Sequence, residues 1–141
     1  VSLFWKNGLV VWAIFVTLFG LIIAGGGWAA TDGLARAIFH LLGGDTFPGE
    51  DRTFRASVGL MGAVTFGWGL TLLAVVRYVT KAPEQRRALL GPVTLAMVVW
   101  CVLDSSLSIL NGFALNAVSN LLILAAWGAG VVLSRPLAGK T

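Results

Sequence analysis

Four apolar runs constrain this chain more than any other feature: residues 8–30, 56–77, 88–110 and 117–134. Each is close to the roughly 20 apolar residues that a helix needs to cross a bilayer. The polar residues cluster between and beyond the runs. Of all residues, 57% are apolar and 11% are charged, against roughly 25% charged in an ordinary soluble domain. This pattern excludes a soluble globular domain and a disordered chain. The single cysteine, Cys101, excludes a disulfide scaffold within one chain.

The expected fold is all-α. It is a polytopic membrane protein with four transmembrane helices in an antiparallel bundle, and residues 1–141 form one domain. The first run has Lys6 before it and small residues near Gly27, as a signal peptide would. It is longer than a signal core, so it reads as the first span. The loop 31–55 carries four acids (Asp32, Asp45, Glu50, Asp51) and three arginines (Arg36, Arg52, Arg55). Within it, Leu34, Ile38, Leu41 and Leu42 share a face, which predicts a short amphipathic interfacial helix over 33–42. Thr31 and Asp32 suit its N-cap, and Gly43–Gly44 its end. Pro92 falls at the start of the third run, where a missing N–H costs little. Asn116 suits a cap for the fourth.

Basic residues set the orientation. Lys6, Arg77, Lys81, Arg86, Arg87, Arg135 and Lys140 fall on one side. Arg36, Arg52 and Arg55, offset by the acids, fall on the other. Positive charge collects on the cytoplasmic side, so both termini are expected in the cytoplasm. A composition rich in Ala, Gly, Val and Arg fits a GC-rich bacterial reading frame, so the expected membrane is a bacterial cytoplasmic one. No basic stripe interleaves with aromatics, so nucleic acid is not an expected partner.

In lipid, helices associate through small residues and interhelical hydrogen bonds. Gly59, Ala63, Gly67 and Thr71 repeat at spacing four in the second span, and Ala126, Gly130 and Ser134 in the fourth. In the first span Ala13, Thr17, Gly20 and Ala24 fall on about one face. These seams are read as helix-packing positions inside the bundle, or as an interface to another chain.

The third span carries the chemistry. Cys101, Asp104, Ser108 and Asn111 lie on one helical stripe with Ser105 beside it. Asp104 lies roughly 9 Å inside the outer end, counting from Leu110 at about 1.5 Å per residue. An intramembrane acid must face the bundle or water. Asn120 and Ser119 offer partners from the fourth span, and Arg55 could reach inward from the outer mouth. Asp104, Ser105, Ser108, Asn111, Asn120 and Arg55 therefore form either a structural pin or a site for an ion, proton or polar headgroup.

Trp5 and Trp28 flank the first span as interfacial residues would. Trp68, Trp100 and Trp127 fall near the middle of their spans, where an interface does not explain them. They either fill space or form a wall for a lipid, quinone or pigment, to which Phe66 and Met97 could add.

No catalytic set is visible. His40 is the only histidine and lies in the interfacial stretch, which argues against a Ser–His–acid triad and a metal centre. The glycines at 25–27 lack the Lys and Ser/Thr of a phosphate loop. The plan resembles that of small four-span bacterial membrane proteins. Small multidrug transporters would need an acid in the first span, and this one has none. Three functions follow in order of expectation. The first is an accessory or assembly subunit that packs on a larger membrane complex or on copies of itself. The second is an oligomeric channel or carrier using the face around Asp104. The third is a binder of an apolar cofactor or lipid at the tryptophans.

Overall fold

The computed structural model describes residues 2–44 and 46–134, with side chains from residue 7 onward. Asp45, Arg135 and Lys140 lie outside the described residues, as do the side chains of Trp5 and Lys6. The fold is all-helical. Its helices are α1 (Ser2–Gly25), α2 (Gly33–Leu41), α3 (Arg52–Lys81), α4 (Arg86–Leu110) and α5 (Ala114–Leu133), with a 3₁₀ turn at Pro83–Gln85 between α3 and α4. Four of them, α1, α3, α4 and α5, are long and apolar enough to cross a membrane. Their outer faces are apolar too: Val64 is 72% exposed and Leu121 60%. A water-facing monomer rarely presents apolar surface of this extent.

The helix ends differ from the sequence expectation for local reasons. α1 stops at Gly25, short of 30, because the chain turns at Gly26 and Gly27 and the Thr31 hydroxyl donates to the Gly25 carbonyl at 2.8 Å. Thr31 thus closes α1 and does not cap α2. Asp32 occupies the N-cap position of α2, but its carboxylate makes no capping bond. It pairs instead with Arg36 at 2.7 Å and Arg55 at 3.0 Å. α3 begins at Arg52, ahead of 56, because the Asp51 carboxylate accepts from the backbone N–H of Thr53 and Phe54 at 2.7 and 3.1 Å. At 30 residues, α3 is about 45 Å long. α4 begins at Arg86, which leaves Pro92 inside the helix and not in its first turn. α5 begins at Ala114 after Phe113, so Asn116 lies within the first turn and is not the cap.

α1 and α3 form the closest helix pair, with α4 and α5 next. The α1–α3 contact is backbone to backbone. A Cβ at Gly69 would come within 2.6 Å of the Thr17 nitrogen, and a Cβ at Gly62 or Gly20 would overlap the backbone of Ala24 or Phe66. The stripe that packs is therefore Val58, Gly62, Gly69, Leu72, Val76 and Val79, all buried. Of the expected seam, Gly59 meets Gly27, while Ala63, Gly67 and Thr71 are exposed and nothing lies near Gly67. The helical period explains this. At about 100° per residue, spacing four advances about 40° each step, whereas spacing seven drifts only about 20° and stays on one face. On α1, Ala13, Thr17 and Gly20 are buried. On α5, Gly130 lies against Leu9.

The core gathers toward the α3–α4 turn, with Leu9, Ala13, Val16, Leu72, Val76, Val79, Leu90, Met97 and Trp127 buried together. That end is clasped by Arg86, which donates to the Val131 carbonyl at 2.5 Å and to the Ser134 hydroxyl at 2.6 Å. At the other end the chain between α1 and α3 folds over the helices. Arg55 binds Asp32 and the carbonyl of Gly49 there. Arg36 lies over the Phe47 ring, 4.7 Å from its centre. Phe39 of α2 meets Phe47, Phe54 and Phe113 edge-on at 5.5–6.1 Å.

Candidate functional site

Between the packed end and the α2 cover, the helices form a half-open cavity of about 660 Å³, with Phe15, Met61 and Leu122 at its exposed rim. This volume is within the range of roughly 300–1,000 Å³ typical of small-molecule sites. Its wall is mostly apolar. Trp12, Phe15 and Phe19 of α1 face it, with Met61 and Trp68 of α3 and Trp100 of α4. Phe39 and Leu42 line it from the α2 side, with Phe113 from the α4–α5 turn.

One wall of the cavity is polar, built where α4 meets α5. Asp104 and Ser108 come from α4, and Asn116, Ser119 and Asn120 from α5. The spacing explains the convergence: 104 and 108 stack one turn apart, as do 116 and 120. The Asp104 Oδ2 accepts from the Asn120 amide at 2.6 Å and from the Asn116 amide at 2.8 Å. Asn116 also donates to the Ser108 hydroxyl at 2.8 Å, and Asn120 to Ser105 at 3.3 Å. Ser108 donates to the Asp104 carbonyl at 2.7 Å. The carboxylate faces protein amides, as an acid in an apolar helix must. Among the described residues, no buried side-chain N or O lacks a partner.

The structure thus brings together Asp104, Ser105, Ser108 and Asn120. It does not bring in Arg55. That guanidinium is held by Asp32, with the Gly26 carbonyl 3.4 Å away, because the fold brings Asp32, at the end of the α1–α2 turn, beside Arg55, while Asp51 is engaged as the α3 cap. Asn111 is exposed and donates to the Leu107 carbonyl at 2.7 Å, so it stays outside the cluster. Asn116 takes its place.

The tryptophans divide. Trp68 and Trp100 face each other in the cavity wall, ring centres 5.3 Å apart. Trp127 is fully buried and stands behind that wall. It meets Trp12 at 5.1 Å and donates to the Thr94 hydroxyl at 3.0 Å. Met97 is buried in the core, and Phe66 lies where α3 crosses Gly20. Ala126 lines the cavity, whereas Gly130 packs on Leu9. His40 is exposed, and its Nδ1 donates to the Gly44 carbonyl at 3.0 Å.

Sequence reasoning missed Asn116 and the α1 aromatics. A signal existed for both. Asn116 and Asn120 are one turn apart, and Trp12, Phe15 and Phe19 recur at spacing three to four. Compared with known protein families, curated proteins and solved structures, the chain matches none.

Proposed function

We propose that this chain is an integral membrane protein that binds a small amphipathic molecule in the cavity between its helices. One observation carries this reading: an aromatic-walled space of about 660 Å³ has one polar cluster, centred on Asp104, in its α4–α5 wall. Such a shape suits an apolar body with one polar head, as in a lipid or an isoprenoid compound. Mass spectrometry of lipid extracts from protein purified in mild detergent tests the reading. A stoichiometric amphiphile, lost from a Thr65→Trp variant that fills the cavity, is the expected result. Identical extracts from both proteins count against it.

The placement proposed is a bacterial cytoplasmic membrane, with four antiparallel spans and both termini in the cytoplasm. The excess of Arg77, Lys81, Arg86 and Arg87 near the α3–α4 turn supports it. The cavity and α2 then belong to the outer half. Single cysteines introduced at Glu84 and Glu50 in a Cys101→Ser background give the check. Label that enters only through the outer face reaches position 50 and not position 84.

A second reading is favoured by the exposed stripe Ala63, Gly67 and Thr71 on α3. It is that the chain associates laterally through this face, as an accessory subunit or with itself. Small exposed positions let a neighbouring helix approach closely. Gly67→Leu is expected to weaken any complex seen by crosslinking in the membrane. An unchanged crosslinking pattern removes this reading.

A further inference from the structure

The hydrogen-bond inventory of the polar wall reaches further than its shape. Each asparagine amide has two hydrogens. Those of Asn116 go to Asp104 and Ser108, and those of Asn120 to Asp104 and Ser105. The Ser108 hydroxyl hydrogen goes to the Asp104 carbonyl, and that of Ser119 to the Leu115 carbonyl at 3.2 Å. Every side-chain donor that the cluster contributes to the cavity lining is thus engaged inside the protein; Ser105, which is not part of the lining, meets the Cys101 sulfur at 3.9 Å. The acceptors of the cluster are not engaged. Asp104 Oδ1, Asn116 Oδ1 and Asn120 Oδ1 have no partner among the described residues, yet no polar side-chain atom there is both buried and unpaired. These oxygens therefore keep accessible surface, in residues that line the cavity. The other unpaired donors of the lining, the indole N–H groups of Trp68 and Trp100, belong to the aromatic wall.

We infer that the cavity selects a head that donates hydrogen bonds, an ammonium or a hydroxyl on an apolar body, and disfavours a carboxylate or phosphate head. The inference rests on the binding function proposed above and names its ligand class. At the cluster an anionic head would meet one carboxyl group and two amide oxygens, and the free indole donors of Trp68 and Trp100 lie in the aromatic wall and not there. Its burial there would be uncompensated. A donor head fills the vacant lone pairs, and an ammonium adds a charge-assisted bond to Asp104. Among the described residues, no arginine lines the cavity to reverse the preference: Arg36 and Arg55 are held by Asp32, and Arg52 is exposed at the start of α3.

The test uses the full chain in phosphatidylcholine nanodiscs at neutral pH. Three bromine-tagged dodecyl probes are compared by quenching of tryptophan fluorescence: the amine, the alcohol and the carboxylic acid. Each is corrected for its partition into empty nanodiscs. The amine and alcohol are expected to quench saturably at concentrations about 10–100-fold below the acid, the range of one or two hydrogen bonds to a charged partner. The amine ranking first assigns the charged head, and the alcohol ranking first the neutral one. Asp104→Asn, which places a donor where an acceptor stood, is expected to narrow the gap between amine and acid. The wild-type ranking decides even if that variant does not fold. Saturable quenching of equal strength by all three, or tightest by the acid, overturns the head selectivity and leaves cavity binding standing. No saturable quenching by any probe overturns both.

Discussion

Asn120 sets its amide nitrogen 2.6 Å from the Asp104 carboxylate and so joins α5 to α4 in the cavity wall. Asn120 is only 3% exposed, so replacing it leaves the carboxylate short of a donor where water is scarce. Interhelical hydrogen bonds in membrane bundles contribute roughly 0.6–2 kcal/mol each. Asn120→Leu is therefore expected to lower stability by about 1–3 kcal/mol, measured by denaturant titration in mixed micelles. Asn116 and Asn120 share Oδ2. The double variant should accordingly cost a different amount from the sum of the single ones.

Gly62 and Gly67 sit on one helix with opposite consequences. A Cβ at Gly62 would collide with the Ala24 backbone, and one at Gly67 meets nothing. Gly62→Ala is expected to force α1 and α3 apart and cost about 1–3 kcal/mol, as overpacking does. Gly67→Ala should be neutral or stabilising by up to about 1 kcal/mol through helix propensity. Thermal denaturation of the two variants in one detergent gives the comparison. Equal losses would contradict the packing register described here.

Trp127 stands behind the cavity wall and not in it. Its full burial and its bond to Thr94 make Trp127→Ala costly, about 3–5 kcal/mol. Trp127→Phe keeps most of the volume and loses the bond, so about 1 kcal/mol is expected. Amphiphile binding by the Phe variant should stay within about twofold of wild type, equivalent to under roughly 0.5 kcal/mol. Fluorescence quenching through the remaining tryptophans reads it.

The loop over the cavity should respond to acid. The Arg36 hydrogen bond holds the Asp32 carboxyl below the ordinary aspartate value of 3.8. Burial opposes it, and Arg55 adds to the lowering. The folded-state value is thus below the unfolded one. The stabilisation is complete above about pH 3.8 and disappears as pH falls through the folded-state value. Pepsin cleavage of the 42–52 segment, followed between pH 5 and pH 2, is expected to rise at the lower end. Asp32→Asn should remove the dependence and expose the segment at all pH values.

Much of this architecture was legible in the sequence. The apolar runs located all four long helices, and the shared face of Leu34, Ile38, Leu41 and Leu42 located α2, because hydrophobic period and length are local properties. The stripe around Asp104 and its bond to Asn120 were also legible, since an acid in an apolar helix needs a partner at matching depth. Asn116 was read as a cap because the apolar run starts after it. Phe113 opens α5 earlier and turns Asn116 toward Asp104. The fate of Arg55 was not legible, because its competing acid, Asp32, comes close only when the turn after α1 folds back on α3. As an internal seam the α3 small-residue stripe holds only at Gly59, for a different reason: spacing four looks continuous on paper but spirals around a straight helix.

The glycine contacts also decide which part of the molecule can yield. Where Gly20, Gly62 and Gly69 bring α1 and α3 backbone to backbone, no side chain separates them, so this pair has the least room to move apart or slide. The clasp of Arg86 on Val131 and Ser134 pins the far end of the opposite pair. A guest wider than the resting space would then have α4 and α5 as the pair to displace, and the Phe39–Phe113 contact as the join it must part.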